Sequence, residues 1–128
     1  MKNYKTYFNI KAEPQDVFTA LTNPFSIELW SGETAIMSKE VGAEFSIWGG
    51  DIVGKNVEVV ENEKLVQEWF FSEENEGNPS IVNIKIWPKK SGSSVELLHT
   101  NIPDEAYENI VEGWNEAYLG AIKQLLEI

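Results

Sequence analysis

Apolar and polar residues change their period three times along the chain. Over residues 2–10, Tyr4, Thr6, Phe8 and Ile10 alternate with their neighbours, the period of two that predicts a β-strand. Ala12, Glu13 and Pro14 break it, and Pro14 suits the first position of a short helix reaching Leu21, with Val17, Phe18 and Leu21 as its inward stripe. Thr22, Asn23 and Pro24 end that helix, and a second short helical turn is predicted from Phe25 to Trp30. From Glu33 the chain returns to short β-like runs, at about 34–38, 43–48, 52–60, 64–72, 80–87 and 93–100. Turn-forming stretches such as Gly49-Gly50-Asp51 and Ser91-Gly92 separate them.

The last stretch, about 104–127, is the longest periodic one. Tyr107, Ile110, Val111, Trp114, Ala117, Tyr118, Ala121, Ile122 and Leu125 share one helical face, an arc of roughly 140°. Leu119 and Leu126 are apolar but fall outside it. Asp104, after Pro103, is the expected N-cap, with Glu105 and Glu108 complementing the positive end of the helix dipole. Gly113 and Gly120 lie on one edge of the arc, where either close approach of a strand or loop, or room for a ligand, would call for glycine.

The order of elements predicts an α+β fold: an antiparallel sheet of about seven strands whose one buried face is covered by the long helix. Period two then points Phe45 and Ile47, Leu65, Gln67, Trp69 and Phe71, Val82, Ile84 and Ile86, and Val95, Leu97 and His99 inward. The run 52–60 has no single phase, since Val57 and Val59 oppose Ile52 and Val60, and a bulge near Gly54 is expected to reconcile them.

A length of 128 residues implies one domain, and no linker interrupts it. The net charge of −11 argues against nucleic acid and anionic membranes as partners. The absence of cysteine excludes disulfides, thiol catalysis and thiolate metal sites. With no signal-peptide core at the start and no apolar run of about 18 residues, a cytoplasmic location is expected.

Gly49-Gly50-Asp51-Ile52-Val53-Gly54-Lys55 fits the spacing of a phosphate-binding loop. Asn56, however, stands where Ser or Thr would hold magnesium, and a β-like run comes next in place of a helix, so a hairpin turn is the expected structure. His99 is the sole histidine, which rules out a two-histidine metal site; no metal or cofactor is expected. Pointing inward, it could serve as a general acid or base, bond a polar group of a ligand, or be a core residue satisfied by a neighbour. Trp30, Trp69, Trp114 and Tyr118 would leave irregular gaps, so either a filled core or a pocket between sheet and helix is expected from them.

The same order of elements resembles the helix-grip fold of the START-like (SRPBCC, Bet v 1-like) superfamily. Within it, the chain is similar to the activator of heat-shock protein 90 ATPase family, in the domain forming the C-terminal half of the eukaryotic activator. The residues that carry the likeness are Pro14 to Leu21 leading to Trp30, Gly42-x2-Phe45, Gly50-x3-Gly54, Leu65-Val66-x2-Trp69-x-Phe71, and Asn101-Ile102-Pro103 with the later run Gly113-Trp114-x3-Tyr118-x-Gly120-x-Ile122-Lys123-Gln124. The resemblance implies an aromatic-lined space under the last helix and a connection to chaperones. The eukaryotic activator looks like two domains and this chain like one, without the separate N-terminal part associated with stimulating the chaperone ATPase, so co-chaperone activity is not expected of it.

Three functions are compatible with this pattern. The first is a non-enzymatic domain binding a small hydrophobic or aromatic ligand between sheet and helix, with Trp30, Phe45, Trp69, Phe71, Trp114 and Tyr118 as walls and His99 as polar handle. The second is a chaperone-associated stress-response protein in which those rings fill the core. The third is a cyclase- or hydrolase-like enzyme using His99. A monomer is expected in each case.

Overall fold

A computed structural model of the chain describes residues 1–70 and 78–127. It opens with strand β1 (Lys2–Ile10), helix α1 (Pro14–Thr22) and helix α2 (Pro24–Ser31). Pro14 occupies the first turn of α1, as its fixed φ and missing N–H favour. Asn23 closes α1 in an extended conformation and caps α2, its Oδ1 accepting from the backbone N–H groups of Phe25 (2.9 Å) and Ser26 (3.1 Å). Gly32 then ends α2 in the left-handed conformation, φ 83°.

The remaining strands are β2 (Glu44–Ile47), β3 (Ile52–Val60), β4 (Lys64–Phe70), β5 (Ser80–Lys89) and β6 (Gly92–Ile102). They form one six-stranded antiparallel sheet in the order β1-β6-β5-β4-β3-β2, so the first strand and the second lie at opposite edges. The expected strand at 34–38 is reduced to one bridge, Ile36 to Ser46, which is why the sheet has six strands and not seven. Side chains take the backbone groups that a strand would pair there: Ala35 N–H donates to Glu28 Oε2, and the Ser38 and Glu40 carbonyls accept from Asn56 Nδ2.

Period two assigned the buried face correctly. Phe45, Ile47, Leu65, Gln67, Trp69, Val82, Ile84, Ile86, Val95, Leu97 and His99 are all buried, while Phe71 lies outside the described residues. The phase change in β3 is a bulge, but it sits at Val57: Asn56 pairs with Gln67 and Glu58 with Val66, leaving Val57 extra and half-exposed. Gly54 instead permits a close approach, since a Cβ there would lie 1.9 Å from the Glu68 carbonyl oxygen and 2.8 Å from the Phe45 ring. Gly49-Gly50-Asp51 turns β2 into β3, so the glycine-lysine run is a hairpin with Lys55 exposed on a strand.

The last helix is not continuous. A 3-10 turn (Asp104–Ala106) leads into α3 (Tyr107–Gly113), a π-helical turn (Trp114–Tyr118) and α4 (Leu119–Leu126). Asp104 is not the N-cap of either turn; its carboxylate pairs with the Met1 amino group at 3.0 Å. In the π turn the Leu119 N–H bonds the Trp114 carbonyl, five residues back, and Tyr118 takes φ −107°, ψ −91°. One residue too many in this turn rotates the remainder of the helix by about 100°. Leu119 is therefore fully buried and Leu126 packs on the core, whereas Ala117, on the expected stripe, is exposed. The helix packs inside the sheet with α1 and α2 against α4. Among the described residues no helix is long and apolar enough to cross a membrane.

Candidate functional site

The π turn brings Trp114 and Tyr118 onto the same side and against one another, ring centroids 4.5 Å apart. Trp69, projecting from β4, stacks on Trp114 at 5.0 Å and 21° and lies 5.9 Å from Tyr118. Trp30 from α2 approaches Tyr118 to 4.6 Å, and Trp48, at the β2–β3 turn, meets both edge-on. Tyr118 is thus enclosed by indoles from four parts of the chain, an arrangement that favours offset and edge-to-face contacts.

Two chains of hydrogen bonds fix these rings. Trp114 Nε1–H donates to His99 Nδ1 at 2.9 Å, and His99 Nε2 lies 2.9 Å from Ser80 Oγ. Because Nδ1 accepts from the indole, the ring proton of neutral His99 belongs on Nε2, which donates to Ser80. Trp69 Nε1–H donates to Gln67 Oε1 (3.0 Å), Gln67 Nε2 to Asn56 Oδ1 (3.0 Å), and Asn56 Nδ2 to the Ser38 and Glu40 carbonyls (2.9 and 3.1 Å). Buried polar groups joined in this way hold one arrangement of the core. The Tyr118 hydroxyl differs: it is buried, and among the described residues nothing bonds it. Burial also raises its pKa above the usual phenol value.

Burial lowers the pKa of His99 from 6.5 to about 3. A proton on Nδ1 would also face the indole N–H, two donors with no acceptor between them. Between pH 6.5 and about 3 the unfolded chain therefore binds a proton that the folded chain does not. The stability contributed by neutral His99 is complete above pH 6.5 and is lost on acidification, by about 1.4 kcal/mol per pH unit. Urea titrations at pH 7 and pH 5, above the carboxylate range, should differ by about 2 kcal/mol, and His99→Gln, which can still accept from Trp114 and donate to Ser80, should remove most of that difference. Parallel pH dependence in the two proteins would contradict this assignment.

Beside the aromatic cluster lies an open cleft of about 390 Å³. Trp69, Trp114 and Tyr118 form one side, Trp48 and Ile52 of the β2–β3 hairpin another, and Ile110, Gly113 and Ala117 the helical edge. Exposed Asp51 and Asn109 are its polar members. A depression beside Thr19, Asn23 and Ser38 is almost as large, about 370 Å³, so the aromatic lining and not the volume distinguishes the cleft. The site residues expected from sequence divide accordingly. Trp69, Trp114 and Tyr118 line the cleft; Trp30 stands behind Tyr118 and bonds the Ala20 carbonyl; Phe45 is packed on Gly54; His99 is beneath Trp69 and Trp114. Phe71 is outside the described residues. Trp48, Asp51, Ile52 and Asn109 were not anticipated, although a tryptophan directly before Gly49-Gly50 signals a ring carried on a tight turn. Among the described residues no three His, Asp or Glu side chains converge as a metal site.

The family described as Activator of Hsp90 ATPase homolog 1-like protein matches residues 11–127. An activator of 90 kDa heat shock protein ATPase homolog from Dictyostelium discoideum is 28% identical over 123 residues, 95% of this chain and 32% of the relative. The human activator homolog 1 is 21% identical and is covered over 33% of its length. The chain thus spans about a third of the length of the curated relatives it matches. The crystal structure of an HSP90 activator from Plasmodium falciparum superposes with a TM-score of 0.91 at 26% identity, covering 99% of this chain and 97% of that one. The solution structure of an Aha1 dimer from Colwellia psychrerythraea shares the fold, with a TM-score of 0.87 at 19% identity and coverage of 100% and 98%.

Proposed function

The chain belongs to the Activator of Hsp90 ATPase homolog 1-like family, and on that premise we propose that it is a chaperone-associated module that docks on an Hsp90-class chaperone. The observation carrying this reading is the Plasmodium HSP90 activator, alike over nearly the whole of both chains and not over a shared fragment. The chain spans about a third of the length of the longer relatives, so the proposal is of docking and not of their whole activity. Its charge of −11 favours a basic surface on the partner, and the association should weaken as salt rises. Isothermal titration against the intact Hsp90-class chaperone of the same host is the test. Saturable binding, weaker at 300 mM than at 50 mM salt, is expected; no complex at about 100 μM of each protein would end the proposal.

The cleft favours a second role, binding of a small hydrophobic or aromatic molecule. Its 390 Å³ falls within the usual ligand-pocket range of about 300–1,000 Å³, and its walls are apolar rings. Native mass spectrometry of protein purified from its host should then show a retained small molecule that denaturation releases. The enzymatic reading has less support, because both nitrogens of His99 are engaged and the ring stays neutral well below pH 7.

A further inference from the structure

The Tyr118 hydroxyl is the one polar group of the aromatic cluster that the cluster leaves unsatisfied. Around it the Trp114 and Trp69 indoles each donate to a buried acceptor, and those of Trp30 and Trp48 donate to the Ala20 and Ser31 carbonyls. The hydroxyl alone is buried with nothing to receive its proton among the described residues. Such a group costs free energy, and that cost is relieved by anything that brings an acceptor to it.

A ring must move for a ligand to reach it, and Trp48 is the one placed to do so. It is half-buried, contacts Tyr118 edge-on at 6.0 Å, and lines the same cleft. Its backbone has φ 54°, costly for a bulky residue, and the next two residues are Gly49 at φ 64° and Gly50 at φ 100°. Three successive left-handed residues make a tight turn, tied to α2 by the 3.1 Å bond from Trp48 Nε1 to the Ser31 carbonyl and by the edge-on contact of Trp48 with Trp30.

The aromatic lining favours a flat ring, which would take the space beside Tyr118 that Trp48 leaves when it is displaced. Charge selects further: among the described residues no lysine or arginine lines the cleft, Asp51 does, and the protein is strongly acidic, so carboxylates and phosphates are repelled. We propose that the cleft is a site for a neutral, planar bicyclic or tricyclic heteroaromatic whose ring nitrogen or carbonyl accepts a hydrogen bond from Tyr118, with Trp48 displaced to admit it. This rests on the small-molecule reading of the cleft and names its ligand class and specificity-determining residue.

Quinoline and naphthalene separate the claims, since they share size and shape and differ by one acceptor nitrogen. Their affinities are read from the tryptophan indole N–H resonances of the full chain, in the wild type and in Tyr118→Phe. The wild type should prefer quinoline by about tenfold, the scale of one buried hydrogen bond. Tyr118→Phe should bring the ratio to about one by weakening quinoline alone, with an unchanged or raised melting temperature because an unsatisfied hydroxyl is gone. Binding of both probes without preference, or a preference that survives Tyr118→Phe, would overturn the role of Tyr118 and leave the ligand reading standing. Binding of neither would overturn both.

Discussion

Trp114→Ala should lower the unfolding free energy by about 3–5 kcal/mol, the range for deleting a large buried ring. Trp114 is only 2% exposed, stacks on Trp69, abuts Tyr118 and donates to His99. Its loss removes packing from all three and leaves His99 Nδ1 without its indole donor. For a chain of this length the melting temperature should fall by roughly 10–20 °C. Trp87→Ala is the control, since that indole is 44% exposed and should change stability by no more than about 0.5 kcal/mol. Equal midpoints in urea for the two variants would remove Trp114 from the centre of the fold.

Gly120→Ala and Gly113→Ala should move stability in opposite directions. Helix propensity alone favours alanine by about 1 kcal/mol at both positions. At Gly113 nothing lies within 4 Å of an added Cβ, so that gain should appear. At Gly120 the added Cβ would sit 1.9 Å from the Asn115 carbonyl oxygen and 2.8 Å from its carbon, both backbone atoms of the π turn. The turn must then open, moving Leu119 out of the core, and a loss of about 3 kcal/mol or more is expected, comparable to emptying a buried leucine site. Differential scanning calorimetry of both variants decides; stabilisation at Gly120 would mean that the π turn is dispensable.

The two glycines also show where the sequence was legible and where it was not. Close approach of a strand or loop, or room for a ligand, is the expected reason for glycine on that edge, and the two positions differ. Gly120 is crowded, though by its own helix and not by a strand or loop, and Gly113 borders the open cleft. Strand phases could be read because a period of two leaves one set of residues for the core, and His99 and Gln67 obeyed that rule although polar. The π turn could not be read, because a fixed angle per residue cannot represent an inserted residue. Its trace was nevertheless present in Leu119 and Leu126, apolar side chains that no continuous helix would bury with Trp114 and Tyr118. The same limit explains Val57: a bulge is an insertion in a period of two, and it could be expected in β3 but not placed to the residue. Trp48 escaped because it obeys no period at all; its position comes from the turn that carries it. The open cleft depends on the packing of separate elements, and no local pattern encodes that.

The aromatic cluster and the cleft both depend on an extra residue in the turn of the last helix at Trp114–Tyr118. The absence of native cysteine permits a direct test with Ala117→Cys and Leu119→Cys, each exposed to a thiol reagent under native conditions. With the π turn present, position 117 is exposed and position 119 is fully buried, so the first variant should label orders of magnitude faster than the second. Faster labelling at 119 than at 117 would mean a continuous helix presenting Ala117 to the sheet, and would contradict the account.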